Sequence, residues 1–177
     1  MQIVSKFEKI CYENYFKDIQ TEWEKAEYNY PYDGKVESIY NDIIIPKRAT
    51  KGSAGYDFYS PFSFDVSPGD AITIPTGIKC KMINDWVLML FPRSGLGFKY
   101  KVRLNNTVGI IDSDYYHSDN EGHIMVKLSN EGNKVLHIDK GQAFCQGIFL
   151  PYGITEDDHA EASRSGGFGS TDKVDAP

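Results

Sequence analysis

The chain has 177 residues, 41% apolar and 14% aromatic, with a formal charge of −6. That supplies one folded domain with a core, plus an extension, and excludes a disordered chain. The acidic balance argues against a nucleic-acid-binding surface, which needs a basic patch, yet leaves room for an anionic ligand held by local Arg, Lys or a metal. Cys11, Cys80 and Cys145 are an odd number at no metal-like spacing, and read as reduced thiols in a cytosolic protein. No apolar run reaches membrane-spanning length, and the start Met-Gln-Ile-Val-Ser-Lys, followed by charged residues, is no secretory signal.

Residues 1–28 read as helix. Val4, Phe7, Cys11 and Tyr15 recur at three- and four-residue spacing, and Phe16, Ile19 and Trp23 continue a second apolar line. Residues 28–34 are a turn-rich link broken by Pro31 and Asp33-Gly34. From Val36 short apolar runs alternate with turn residues. Strands are expected at 36–45, 62–66, 70–74, 77–83, 86–91, 102–104, 108–111, 123–128, 134–138 and 145–150. Many short strands at this spacing predict an all-β sandwich, barrel or jelly roll. After Pro151 the apolar periodicity ends, and the glycine-rich stretch Ser163–Thr171 has the composition of a mobile arm. The expected organisation is a helical extension over 1–35, a β core over 36–152 and a C-terminal arm over 153–177.

Five stretches carry groups suited to chemistry. Ser53-Ala-Gly-Tyr-Asp57 is a small-residue turn delivering one carboxylate. Pro92-Arg-Ser-Gly-Leu96 offers backbone N–H groups, the Ser94 hydroxyl and the Arg93 guanidinium, all donors to anionic oxygen. Val108–Tyr116 is a buried run around Gly109 that ends in Asp112 and Tyr115, with Asn106 just before it. An acid and a ring at the end of a strand suit a base held against a ring-shaped ligand. Lys140–Gln146 is a turn into a strand with one outward amide, Gln146. Arg164–Thr171 combines glycines that let backbone approach phosphate with a guanidinium and the Phe168 ring. Each also reads as an ordinary turn or tail. The absence of Gly-x4-Gly-Lys-[Ser/Thr] excludes a P-loop. The four histidines show no metal-ligand spacing and read as surface or turn residues.

In this order, the five stretches resemble the five signature motifs of the trimeric dUTP pyrophosphatase (dUTPase) family, over roughly residues 36–171. The resemblance implies a jelly-roll-like β-barrel of the β-clip type, a homotrimer whose active sites each draw on more than one subunit, and a C-terminal arm that closes over the ligand. It implies hydrolysis of dUTP to dUMP and pyrophosphate, which keeps uracil out of DNA and supplies dUMP for dTMP synthesis. Asp112 would activate the attacking water and bond the 3′-hydroxyl. Tyr115 would pack under the sugar and exclude a 2′-hydroxyl. Asn106, with backbone of Gly109, Ile110, Ile111 and Met125, would read uracil. Arg93, Ser94, Gly95 and Gln146 would hold phosphates. Mg²⁺ would bridge phosphate oxygens, with Asp57 holding its waters. Arg164 would meet the γ-phosphate, and Phe168 with Gly169 would lie over the base. The implied compartment is the cytoplasm of a bacterial or phage-infected cell.

The chain departs from the family pattern in four places. Ala143 stands where an arginine is usual. The segment between Arg164 and Phe168 is one residue shorter than in many members. Residues 116–121 form a longer hairpin connection, and 1–35 lie outside the resemblance; either segment could take a protein partner. The fold is shared with dCTP deaminases, which need a glutamate where this chain has Lys127. A non-enzymatic interaction module on the same fold is the remaining alternative.

Overall fold

A computed structural model describes residues 2–25, 36–161 and Gly166. The elements in chain order are β1 (Ser5–Lys9), α1 (Tyr12–Lys25), α2 (Val36–Asn41), β2 (Lys47–Arg48), β3 (Tyr56–Tyr59), β4 (Phe64–Val66), β5 (Ala71–Pro75), β6 (Ile78–Met82), β7 (Trp86–Pro92), α3 (Ser94–Tyr100), β8 (Val102–Leu104), β9 (Gly109–Ile111), β10 (Met125–Asn130), β11 (Leu136–Ile138) and β12 (Ala143–Pro151). A 3-10 turn at Ser113–His117 follows β9. The strands form a five-stranded sheet in the order β2-β3-β12-β7-β9, a three-stranded sheet β5-β10-β8, and the pairs β1-β6 and β4-β11. This is the mostly-β, jelly-roll-like framework that the turn spacing predicts. Among the described residues no helix is long and apolar enough to cross a membrane.

One apolar cluster runs through the molecule. It includes Leu88 and Leu90 of β7, Phe58 of β3, Phe144 and Cys145 of β12, and Val126 and Leu128 of β10. Successive strand residues point to opposite faces, so Leu88 and Leu90 go inward together. Gly147 sits between them: a Cβ there would lie 2.8 Å from Leu88 Cδ1 and 3.0 Å from Phe58 Cε2. The strand can cross the core at that point only without a side chain.

The N-terminal region differs from the expected helix. Residues 5–9 are strand, paired antiparallel to β6 with Ser5 opposite Met82 and Lys9 opposite Ile78. Phe7 packs its ring on Tyr56, Phe58 and Phe149 at 5.4–5.6 Å between centroids. The helical spacing of Val4, Phe7, Cys11 and Tyr15 is overridden by the chance to pair with β6. The helix that does form, α1, buries Tyr15 and Ile19 completely. These stand at i and i+4 and so share one face. Burying each is worth about 2 kcal/mol. Glu13 in the first turn and Lys25 in the last complement the helix dipole.

Two further elements differ from expectation. Residues 36–41 are helix, not strand. Val36, Ile39 and Ile43 are all buried, and their spacing of three and four is helical despite their β-branched side chains. Ser94–Tyr100 is a short helix closed by Lys101 in the left-handed conformation (φ 52°), whose N–H bonds the Gly97 carbonyl. Its glycines at 95 and 97 mask a helical signal. Strands β2 and β3 lay unmarked in a turn-rich stretch.

Candidate functional site

Strand register assembles the first group of site residues. Gln146 of β12 lies opposite Asp57 of β3 on one side and Phe91 of β7 on the other. Arg93 follows β7, and its Nε lies 3.2 Å from Asp57 Oδ1. Gln146 Nε2 donates to the Pro92 carbonyl at 3.2 Å. Gly55 makes room for this group: a Cβ there would come within 2.8 Å of Gln146 Oε1. Its glycine therefore serves a close approach and not only a turn. Ser94 and Gly95 open α3 directly after Arg93. The result is a guanidinium, an amide, a hydroxyl and one carboxylate gathered at one end of the sheet.

Ala143 is buried in β12 opposite Tyr59, and the register shifts between it and Cys145. Burial pushes the Cys145 thiol up to about 12, although N–H groups nearby oppose this, and does the same to Cys80. Both are packing residues, inert as nucleophiles. The described cysteines are free thiols.

The second group lines a cavity of about 700 Å³. Asn106, Gly109, Ile110 and Ile111 form one wall, and Met125 and Lys127 of β10 another. β9 is the last strand of its sheet. One edge pairs with β7; the other has no strand beside it among the described residues, so part of its backbone can serve a ligand. Gly109 allows this layout, because a Cβ there would lie 3.0 Å from Leu90 Cβ. The tight entry to β9 puts Thr107 at φ 66°, a sterically costly conformation for a β-branched residue.

Asp112 ends β9. Its carbonyl accepts the Tyr115 N–H at 3.2 Å, starting the 3-10 turn. Tyr115 is buried, and its hydroxyl donates to the His123 carbonyl at 2.7 Å. Asp112 and Tyr115 stand beside the cavity in sequence but do not line it; Asn120, which does line it, donates its amide to the Tyr115 hydroxyl oxygen at 2.7 Å.

Sequence reasoning missed the third wall. Asp18, Thr21, Glu22 and Lys25 of α1 line the same cavity. It also misplaced His123, expected on the surface or in a turn: the residue is wholly buried, because both ring nitrogens find partners, Asp18 and the Gly77 N–H. The 116–121 connection is fastened to the N-terminal segment. Glu121 accepts the Cys11 N–H at 2.9 Å and the Asn14 amide at 3.1 Å, and pairs with Lys79. Burial opposes its charge, but the Lys79, Cys11 and Asn14 bonds outweigh it and hold the carboxyl down to about 2. Tyr116 donates its hydroxyl to Glu8 of β1. No local signal marks pairs more than a hundred residues apart.

The two groups do not meet within one chain. Leu90 lies opposite Gly109 and Leu88 opposite Ile111. Arg93 is three residues beyond Leu90, and Asp112 three beyond Gly109 towards the other end. Both have extended backbone, so six residues at about 3.3 Å put them roughly 20 Å apart along the sheet. Arg93 also turns to Asp57 on β3, across the sheet from β9. Arg164, Phe168 and Gly169 lie outside the described residues.

A dUTPase family model matches residues 41–172. The deoxyuridine 5′-triphosphate nucleotidohydrolase of Lactococcus lactis subsp. lactis (strain IL1403) is 41% identical over 132 residues, covering 73% of this chain and 88% of that protein. A crystal structure of the dUTPase from Streptococcus mutans matches with a TM-score of 0.59 at 35% identity, over 66% of this chain and 91% of that one. The dUTPase of phage phi11 of S. aureus, solved as a mutant with a structural Mg(II) ion, shares the fold with a TM-score of 0.58 at 19% identity, over 71% and 94% of the two chains.

Proposed function

The chain belongs to the dUTPase family and hydrolyses dUTP to dUMP and pyrophosphate; we propose that it does so as a homotrimer, at sites that two or more copies complete. The observation that carries the shared site is the separation just described. Asp112 and the nucleoside cavity lie at one place on the chain and Arg93, Gln146 and Asp57 at another. A cyclic oligomer brings one copy's phosphate group to the next copy's cavity.

In this reading uracil enters the cavity against the open edge of β9. Backbone donors and acceptors of Gly109, Ile110 and Ile111, with Asn106 and Met125, read its edge. Cytosine differs by exchanging an acceptor for a donor at ring position 4, which reverses one hydrogen bond and leaves a buried group unpaired. Tyr115, held by its hydroxyl, sits under the deoxyribose and leaves no room for a 2′-hydroxyl. Asp112 bonds the 3′-hydroxyl and takes a proton from the water that attacks the α-phosphorus. Arg93, Ser94, Gly95 and Gln146 of a neighbouring copy hold the phosphates, where charge builds up in the transition state. Arg164 meets the γ-phosphate, and Phe168 and Gly169 cover the base.

The residues also fit Mg²⁺. Asp57 offers a hard carboxylate beside the phosphate-binding groups. A single carboxylate suits an ion held mainly by phosphates and water, not an all-protein cage. When bound, Mg²⁺ neutralises phosphate charge, and Asp57 orders its waters. The cytoplasm is the proposed compartment, in keeping with the free thiols. A further protein partner on residues 1–35 or 116–121 would dock on their outer faces, since the described inner faces already bond each other.

The test is pyrophosphate release, with Mg²⁺, from dUTP, dCTP, dTTP and UTP in parallel, with the nucleotide product identified. Release from dUTP alone, yielding dUMP, is expected. Conversion of dCTP to a uracil nucleotide would instead assign the cavity to deamination, despite Lys127 in its wall.

A further inference from the structure

The nucleoside cavity has a wall that the family model does not include. α1 precedes the matched residues 41–172, yet four of its side chains line the cavity. Of these, Asp18 bonds to His123, a buried residue two positions before the Met125 that lines the cavity. Its Oδ2 lies 2.6 Å from His123 Nδ1. The other ring nitrogen, Nε2, accepts the Gly77 N–H at 2.8 Å. An acceptor at Nε2 places the proton of a neutral ring on Nδ1, which then donates to Asp18. The ring is wholly buried, so neither bond can be exchanged for water.

The backbone of the same residue holds the sugar platform. The His123 carbonyl accepts the Tyr115 hydroxyl at 2.7 Å, and the Asn120 amide reaches that hydroxyl at 2.7 Å and the carbonyl at 3.4 Å. Ile124 and Met125 follow directly, and Met125 lines the cavity. Asp18, His123, Asn120 and Tyr115 therefore form one connected network from α1 to the ring under the sugar. The helix start is itself fixed by Glu121, which accepts the Cys11 N–H and the Asn14 amide. Described residues of two segments that depart from the family pattern, Cys11 and Asn14 in the first and Glu121 in the second, are thus bonded to one another.

We propose that α1 is a working wall of the nucleoside site and that Asp18 is a positioning residue: by fixing His123 it sets where Tyr115 meets the deoxyribose, and so tunes the rejection of ribose. The inference rests on the dUTPase reading of this site. Without Asp18 the buried Nδ1–H has no acceptor. The ring must then rotate or change tautomer, and a proton on Nε2 would oppose the Gly77 N–H. Either change moves the carbonyl to which Tyr115 is tied.

The experiment is steady-state kinetics of the full chain on dUTP and UTP, with thermal unfolding in parallel, for Asp18→Ala, Asp18→Asn and Asn120→Ala. Asp18→Ala is expected to raise KM for dUTP about tenfold, to leave kcat within about threefold, and to lower the dUTP-over-UTP preference about tenfold. Asp18→Asn keeps an oxygen acceptor for Nδ1 and should bring both quantities back to within about threefold of wild type. Asn120→Ala, at the other end of the network, should move the same two quantities in the same direction, and it supplies the test should Asp18→Ala fail to fold. Unchanged KM and unchanged sugar preference in folded Asp18→Ala or in Asn120→Ala would overturn the inference. A lower melting temperature with no change in either quantity would also overturn it, since α1 would then only support the fold. A wild-type protein inactive on dUTP would remove the reading of the site and this inference with it.

Discussion

Asp57, Gln146 and Arg93 come together through neighbouring strands of one sheet, whereas the cavity beside β9 and β10 is closed by segments far apart in the chain. In the first region β-register does the positioning, with Asp57 opposite Gln146 and Gln146 opposite Phe91. In the second, α1 meets β9 and β10 around the cavity, and its Asp18 bonds His123, two residues before β10. Charge recognition of a phosphate tolerates a shallow, open platform, because the guanidinium supplies directional donors by itself. Recognition of a neutral base needs enclosure and desolvation, so that one wrong hydrogen bond is costly. In the proposed site the same chain would meet these demands by register in one place and by packing in the other.

Asp112→Asn separates chemistry from both regions. It should keep dUTP binding and lower kcat by about a thousandfold or more, because an amide cannot take the proton from water. Single-turnover kinetics beside a binding isotherm will show it, and near-normal turnover would refute the base assignment. Arg93→Ala tests the platform. A loss of about a hundredfold in kcat/KM is expected, together with a weaker hold on Asp57. An equal loss of binding affinity for a non-hydrolysable dUTP analogue and for dUMP, which lacks the β- and γ-phosphates, would show that Arg93 does not act on those two phosphates.

Ile19→Ala asks whether α1 belongs to the core. The side chain is fully buried, and its truncation should cost about 2–4 kcal/mol in urea unfolding. A cost near zero would make α1 a loose appendage. Glu121→Gln has the smallest expected effect, about 1–2 kcal/mol at pH 7. The folded carboxyl is held below its ordinary value of 4.5, at about 2. Its contribution is therefore present above pH 4.5 and is lost as pH falls towards 2. The stability gap between wild type and variant should narrow across that window, and a gap independent of pH would contradict the pairing with Lys79.

The sequence shows the two regions unequally. Strands β7, β8 and β9 are readable because apolar residues alternate or run together between clear turn residues, as at Asn84-Asp85 and Asn105-Asn106. Four of the five motif stretches mark Asp57, Arg93, Asn106, Asp112 and Gln146 by local chemistry. What the sequence hides is whatever depends on distant partners. Residues 5–9 read as helix until β6 offers them a ladder. Val36 and Ile39 suggest a strand because their side chains are β-branched, though their spacing is helical. His123 looks like a turn residue until Asp18, 105 positions away, buries it. The insertion at 116–121 looks like an appendage until Glu121 is seen at the start of α1.

The central claim is that Asp112 of one copy works with Arg93 of another. Mixing unfolded Asp112→Asn and Arg93→Ala chains in equal amounts, refolding them together and measuring dUTP hydrolysis tests it most directly. Each variant refolded alone should be close to inactive. Random co-assembly should restore about a quarter of wild-type activity, the chance that an intact Asp112 faces an intact Arg93 across a subunit boundary. A mixture no more active than its two components would place both residues in the same chain's site and contradict the account.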